Sequence, residues 1–167
     1  MFDQLEAESP DERHAAASKL IDARREQEQQ IADLLAKILA VPDREGTARD
    51  LILLLGKLRA SEQVPILVRS LTFQVFYRAS KRPQSTEDLF PAVQALIDIG
   101  TPALDPVLER LQHEGGDDVQ RAGSAVLRGI LGLQRAKLVI AGLAQTARTS
   151  EIRERLRKAE RVMQELP

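Results

Sequence analysis

Cys and His, the residue types that most often act as nucleophiles, proton carriers or transition-metal ligands, are scarce in this 167-residue chain. The sequence has no Cys and only two His, His14 and His113, so thiol catalysis and zinc–thiolate sites are excluded. It contains no glycine-rich phosphate loop and no nucleophile elbow. Two acidic pairs, Asp117-Asp118 and Glu87-Asp88, lie at predicted helix starts, where carboxylates stabilise the helix dipole. We interpret both pairs as capping residues rather than as acid–base catalysts.

Aromatic and basic residues gather around a loop-like stretch at 77–86, which reads Tyr-Arg-Ala-Ser-Lys-Arg-Pro-Gln-Ser-Thr. Because aromatic and Arg side chains are enriched at interface hot spots, and loops often carry function, this stretch predicts a binding site. The predicted site residues are Arg69, Phe76, Tyr77, Arg78, Lys81 and Arg82. The alternative is that the nearby aromatics fill the core. We favour that alternative for Phe73 and Phe90 and leave both interpretations open for Phe76 and Tyr77.

Composition indicates one folded domain built from aliphatic side chains. Hydrophobic residues make up 43% of the chain but aromatic residues only 3%, which favours packed helices over sheets. The net charge of −1 gives no field that would attract nucleic acid. The N-terminus lacks the basic start and apolar run of a signal peptide, and the longest apolar run, 51–55, is far shorter than the ~20 residues of a membrane span. We therefore expect a cytoplasmic protein that binds neither nucleic acid nor membrane.

A repeated pattern of apolar residues indicates pairs of helices. The segments 63–71, 103–111 and 135–143 share apolar residues at positions two, five, six and nine, and 31–39 fits the same template. These offsets form one face of an α-helix. An apolar–Gly step precedes three of the segments, at Gly56, Gly100 and Gly132, and the residue eight before each Gly is small. Each unit is thus predicted to be a helix, a Gly-containing turn and a second helix.

The clearest unit runs from Ala48 through Leu55-Gly56 to Val64-Pro65-Ile66-Leu67, and the next from Ala92 through Ile99-Gly100 to Leu104-Asp105-Pro106. These residues resemble the HEAT-like repeat family in its short bacterial form. The resemblance covers about residues 16–143, although the first unit lacks the Gly and the fourth lacks the Pro. It implies an all-α fold, a right-handed α-solenoid of about four HEAT-like helix pairs plus a C-terminal capping helix.

These expectations define a single HEAT-like repeat domain over residues 1–167. Its units lie at about 10–41, 47–73, 86–114 and 117–147, with an inserted loop at 77–86. A capping helix is predicted over 150–166 because one side is apolar and the other is crowded with charges. The predicted inward residues are Ile152, Leu156, Ala159 and Met163.

Some HEAT-like proteins are enzymes, and the resemblance implies what their sites would need. Deoxyhypusine hydroxylases hold two irons with repeated His-Glu pairs, whereas this chain has one such pair, His113-Glu114. Alkylpurine DNA glycosylases grip DNA with a basic concave face. The residues expected on that face here are of mixed charge: Lys37, Arg69, Glu109 and Ala141. Phycobilin lyases handle a tetrapyrrole, which would require an apolar cleft.

Taken together, these features predict a non-catalytic protein-interaction scaffold or adaptor that binds a protein partner on its concave face or inserted loop. We expect no metal and no cofactor, and a monomer or weak oligomer. The alternative is a HEAT-like ligand-handling protein or lyase-like enzyme acting on a small-molecule or pigment ligand. An enzyme should show a buried ionisable cluster in a groove, whereas a scaffold should show an exposed apolar and Arg-lined patch.

Overall fold

The computed structural model describes residues 10–41, 44–74 and 86–166, with backbone only for residues 10–14, 87 and 88. Over these ranges the chain is helical and contains no strand, so the predicted all-α class is confirmed. None of the helices in this described part is both long and apolar enough to cross a membrane. The α-helices are α1 (Pro10–Ile38), α2 (Glu45–Lys57), α3 (Val64–Arg69), α4 (Thr86–Leu89), α5 (Pro91–Ile99), α6 (Leu104–His113), α7 (Asp117–Leu131), α8 (Leu133–Thr146) and α9 (Ser150–Glu165).

The first predicted helix pair, over 10–41, is wrong: α1 is one continuous helix of 29 residues. At 1.5 Å per residue it is about 43 Å long. The sequence from residue 11 to residue 40 contains neither Gly nor Pro, so nothing in it breaks the backbone. Side chains one turn apart also hold it together: Arg24 donates to Glu28 at 2.8 Å and Gln29 donates to Asp33 at 2.8 Å.

The three predicted turn glycines have two different roles. Gly100 and Gly132 end helices with φ of 85° and 76°, values that favour glycine. Gly56 instead lies inside α2, and the residue with positive φ after that helix is Arg59. A Cβ on Gly56 would lie 2.5 Å from the Cα of Ala95 on α5. The glycine at this position is therefore needed for close packing of two helices, and the prediction of a turn at Gly56 was wrong.

One aliphatic core runs from the end of α1 to α9. The small residues that lie eight positions before the three glycines, Ala48, Ala92 and Ser124, are all buried. Phe90 is fully buried, which confirms the core interpretation for this aromatic, whereas Phe73 is half-buried and packs against the core. In α9 the apolar stripe is buried as predicted at Leu156, Ala159 and Met163, with Ile152 half-buried.

Successive helices pack in two rows. In the first row α2 packs on α5 and α5 packs on α7; in the second row α3 packs on α6 and α6 packs on α9. The helix α1 packs on α2, while α8 packs on α7 and α9. The position beside α6 is thus taken by α9, for which the sequence predicted a cap, and α8 lies outside the second row. Its template residue Val139 is 37% exposed, whereas the equivalent Leu67 and Val107 are fully buried.

Candidate binding site

An open groove of about 500 Å³ lies between α3 and α6, the first two helices of the second row. We call it the α3–α6 groove. Its walls combine apolar and charged side chains of both signs. The lining residues are Pro65, Val68, Arg69, Pro106, Glu109, Arg110, His113 and Glu114.

Both walls of the groove begin in the same way. Residues 61–63 and 101–103 each form a short 3-10 helix that leads directly into α3 and α6, respectively. Pro65 lies in the first turn of α3, where its missing N–H needs no partner. Pro106 is the third residue of α6, where the N–H likewise has no partner within the helix. Core residues such as Leu67 and Val107 point away from the groove on each helix and are fully buried. The two proline rings are thereby left on the groove side.

Arg110 forms the floor of the groove and joins its walls. Its Nη1 donates to the backbone carbonyl of Val68, near the end of α3, and its Nη2 donates to Glu114 Oε2 at 3.1 Å. The side chain is only 14% exposed. Its Nε is buried without a hydrogen bond from the described residues, although it lies 3.1 Å from Glu114 Oε1. Such charge-assisted bonds hold the guanidinium in one position.

The remaining charges are exposed on the rim. Arg69, the last residue of α3, has no hydrogen bond or ion pair with any residue in the described ranges. Glu109 and His113 are exposed on α6, and His113 is the last residue of that helix. Over the described ranges no three His, Asp or Glu side chains come together as a metal site would require. The arrangement is suited to recognising a partner through exposed charges and proline rings.

The predicted site residues are only partly covered by the structure. Arg69 lines the α3–α6 groove together with Glu109, another residue expected on a concave face. Lys37 is exposed on α1 and does not line this groove, and Ala141 lines a separate groove between α8 and α9. The other predicted site residues lie outside the described residues: Phe76, Tyr77, Arg78, Lys81 and Arg82.

Sequence reasoning missed a recurring use of arginine. Arg110 of α6 donates to a carbonyl near the end of α3, and Arg155 of α9 donates to the carbonyls of Gln112 and His113 at the end of α6, at 2.9 and 2.7 Å. Each later helix of the second row therefore caps the previous one. Similar bonds run from Arg24 to Leu58 and from Arg128 to Leu166. The only signal in the sequence was that its 18 Arg outnumber its 6 Lys.

The α3–α6 groove and the arginine contacts are observations on this chain alone. No family model, no curated protein and no solved structure matches it.

Proposed function

We propose that this protein is a non-catalytic interaction scaffold that binds a segment of a protein partner in the α3–α6 groove. The observation that carries the proposal is the combination of an exposed Pro65, a half-buried Pro106, exposed Arg69 and Glu109, and a largely buried Arg110 held by hydrogen bonds, all in one open groove. Apolar surface gives a partner affinity, and charges of both signs select its orientation.

A scaffold role is favoured over a ligand-handling enzyme by the exposure of the groove's ionisable side chains. Glu109, His113 and Glu114 are all exposed. A group that takes part in acid–base catalysis is usually partly desolvated, because burial is one means of adjusting its pKa. The groove is large enough for a small molecule, so the ligand-handling alternative is a distinct outcome of the experiment below.

The HEAT-like assignment and the right-handed solenoid are part of the same proposal. Two observations support them: the 3-10 turn and proline are repeated at the starts of α3 and α6, and the arginine cap is repeated along the second row. Stacked helix pairs of this kind commonly present a continuous binding surface along one row.

The inserted loop at 77–86 is the second surface of the proposal. Arg69 lines the groove and is the last residue of α3, eight residues before the loop in the sequence. A partner that spans both would contact Arg69 and the loop residues Tyr77 and Arg82.

The experiment is quantitative affinity capture followed by mass spectrometry, with wild-type protein and charge-reversal variants compared side by side. We expect Arg69→Glu to lose the partner, with an affinity decrease of about thirtyfold, as for a hot-spot residue. Arg121→Glu, an exposed residue of α7, is the matched control and should retain it. Tyr77→Ala and Arg82→Glu report on the loop separately.

Three results would contradict parts of the proposal. Capture unchanged by Arg69→Glu but lost with Tyr77→Ala would move the site from the groove to the loop. If the amount of captured partner is the same for wild type and for all of these variants, both surfaces are excluded. A small molecule co-purifying with wild type but not with Arg69→Glu would favour the ligand-handling alternative.

A further inference from the structure

The outer face of α8 is an apolar surface without a neighbouring helix in the described part of the chain. Leu138 is 74% exposed, more than any other large apolar side chain in the described ranges. Val139 beside it is also exposed, and nothing lies within 4 Å of the position where Gly142 would carry a Cβ. Exposed apolar side chains mark a surface that a partner can cover, and a glycine with open space beside it allows the partner's backbone to approach closely.

This face continues into a groove of about 500 Å³ between α8 and α9. We call the groove and the outer face together the α8–α9 surface. The groove is lined by Ala141, Ala144 and Gln145 from α8 and by Arg153, Arg157 and Glu160 from α9. Leu138, Ala141 and Gln145 are spaced i, i+3 and i+7, so they follow one stripe along α8. Leu138 thus extends the apolar wall of the groove.

The charge of this region is opposite to that of the rest of the chain. Residues 133–167 contain eight basic and four acidic residues, a net charge of +4, whereas residues 1–132 contain 16 basic and 21 acidic residues, a net charge of −5. α8 itself has Arg135 and Lys137 but no acidic residue.

The cations of α9 divide into two sets. Arg155 and Lys158 bind carbonyls at and just after the end of α6, while Arg153 binds carbonyls at and just after the end of α8. Arg157 and Arg161, in contrast, are exposed and have no hydrogen bond or ion pair with a described residue, and of these two Arg157 lines the groove. Arg157 and the exposed Arg135 are therefore available to bind carboxylates of a partner.

We propose that the α8–α9 surface is a second docking site, which takes an acidic amphipathic helix from a protein partner. Such a helix presents apolar residues at i, i+3, i+4 and i+7, which would cover Leu138 and the alanine wall, while its carboxylates reach Arg135 and Arg157. Gly142 accommodates the partner's backbone. This site is independent of the α3–α6 groove, because it is formed by different helices at the far end of the second row.

The test uses a fluorescein-labelled helical peptide of about 15 residues, with Leu at i, i+3, i+4 and i+7 and Glu on the opposite face. Fluorescence anisotropy should show saturable binding to wild-type protein. Leu138→Ser and Arg157→Glu should each weaken binding by at least about tenfold. Because the peptide is bound partly through exposed charges, affinity should fall as salt is raised.

Matched controls separate this site from general effects. Leu54→Ser changes another exposed Leu, on α2, and Arg121→Glu changes another exposed Arg, on α7; both should bind the peptide as wild type does. A peptide with Lys in place of Glu, and one with Ala in place of Leu, should bind at least about tenfold more weakly. Thermal melts of all four variants should match wild type, which shows that binding losses do not come from unfolding.

The proposal is overturned if the acidic peptide does not bind, if the Lys peptide binds equally well, or if the control variants lose binding to the same extent. Arg69→Glu distinguishes it from the proposed function. Peptide binding that is lost with Arg69→Glu and retained with Leu138→Ser would place the peptide in the α3–α6 groove and exclude the α8–α9 surface.

Discussion

The middle of the molecule and its C-terminal end follow the same sequence template but differ in how their helices are arranged. In the middle, α3 follows α2 and α6 follows α5, and both second helices lie in the second row. At the C-terminal end, α8 follows α7 but lies outside the row, and α9 packs beside α6 in its place. An apolar stripe therefore predicts which face of a helix is buried without predicting which neighbour buries it.

Polar contacts explain why α9 rather than α8 lies beside α6, while both helices pack on α7. Arg155 of α9 binds the carbonyls that end α6, and Ser124 of α7 donates to the carbonyl of Ala159 at 3.0 Å in the buried interface. Leu156, Ala159 and Met163 supply the apolar stripe between these contacts. α8 has an equivalent stripe but makes no comparable hydrogen bond to α6 among the described residues.

The largest expected effect compares one leucine from each of these two helices. Leu156→Ala on α9 should cost about 2–5 kcal/mol, because Leu156 is fully buried and its removal leaves a cavity. Leu138→Ala on α8 should change stability by less than about 0.5 kcal/mol, because Leu138 is already exposed. Urea unfolding of the two variants measures both values. Equal losses would mean that α8, too, is buried in solution.

A second pair of variants should shift stability in opposite directions. Gly56→Ala places a Cβ within 2.5 Å of the backbone of Ala95, so we expect a loss of about 1–3 kcal/mol from overpacking. Gly142→Ala has open space and a helical backbone, so the better helix propensity of Ala should stabilise by about 0.5–1 kcal/mol. Thermal melting of the two variants reports the sign directly. Stabilisation by Gly56→Ala would contradict the close crossing of α2 and α5.

An effect of similar size is expected from one of two arginines on the same helix. Arg155→Met removes two hydrogen bonds to the end of α6 and should cost about 1–3 kcal/mol. Arg157→Met removes a side chain without such bonds and should be within about 0.5 kcal/mol of wild type. Chemical denaturation compares them, with far-UV circular dichroism confirming unchanged helix content. If both substitutions were neutral, arginine capping would not hold the second row together.

The smallest effect concerns an exposed ion pair at the same end. The Lys158 ammonium donates to Asp117 and, by this hydrogen bond and by its charge, lowers the pKa of that carboxyl from its ordinary value. Its contribution to stability is therefore present above the unfolded pKa and is lost as pH falls through the folded one. We expect Lys158→Met to raise the pKa of Asp117 towards its ordinary value, measured by NMR titration, with little change in melting temperature at neutral pH. An unchanged pKa would show that the contact does not persist in solution.

The sequence predicted the helical class, the helix that begins at Ser150 and most of the buried faces, with Val139 of α8 an exception, because all three depend on local periodicity and capping. It did not distinguish a helix pair from the continuous α1, since 31–39 satisfies the template in either case and Ala32 and Leu35 are indeed buried. It also did not separate Gly56 from the turn glycines. A glycine that is needed for the close approach of two helices cannot be distinguished in the sequence from one that is needed for a positive φ.

The candidate site could be predicted only in part. Arg69 was singled out by its position in the template and lies in the α3–α6 groove. The role of Arg110 depends on its lying beside the carbonyl of Val68, which is 42 residues earlier in the chain. Backbone acceptors are present at every residue, so no side-chain pattern marks such a contact, and only the assembled helices reveal it.

The placement of α9 also affects the order in which the chain can fold during synthesis. Arg155 reaches carbonyls on α6 that were made 42 and 43 residues earlier, and α7 and all of α8 lie between them in the sequence. Contacts that close such a long stretch of chain form late, because their entropic cost is paid before they contribute stability. A nascent chain on the ribosome therefore holds α6 and the Ser124 face of α7 uncovered until α9 has emerged. For that interval the partly made protein exposes apolar surface that chaperones can bind, and the second row is completed only when α9 is in place.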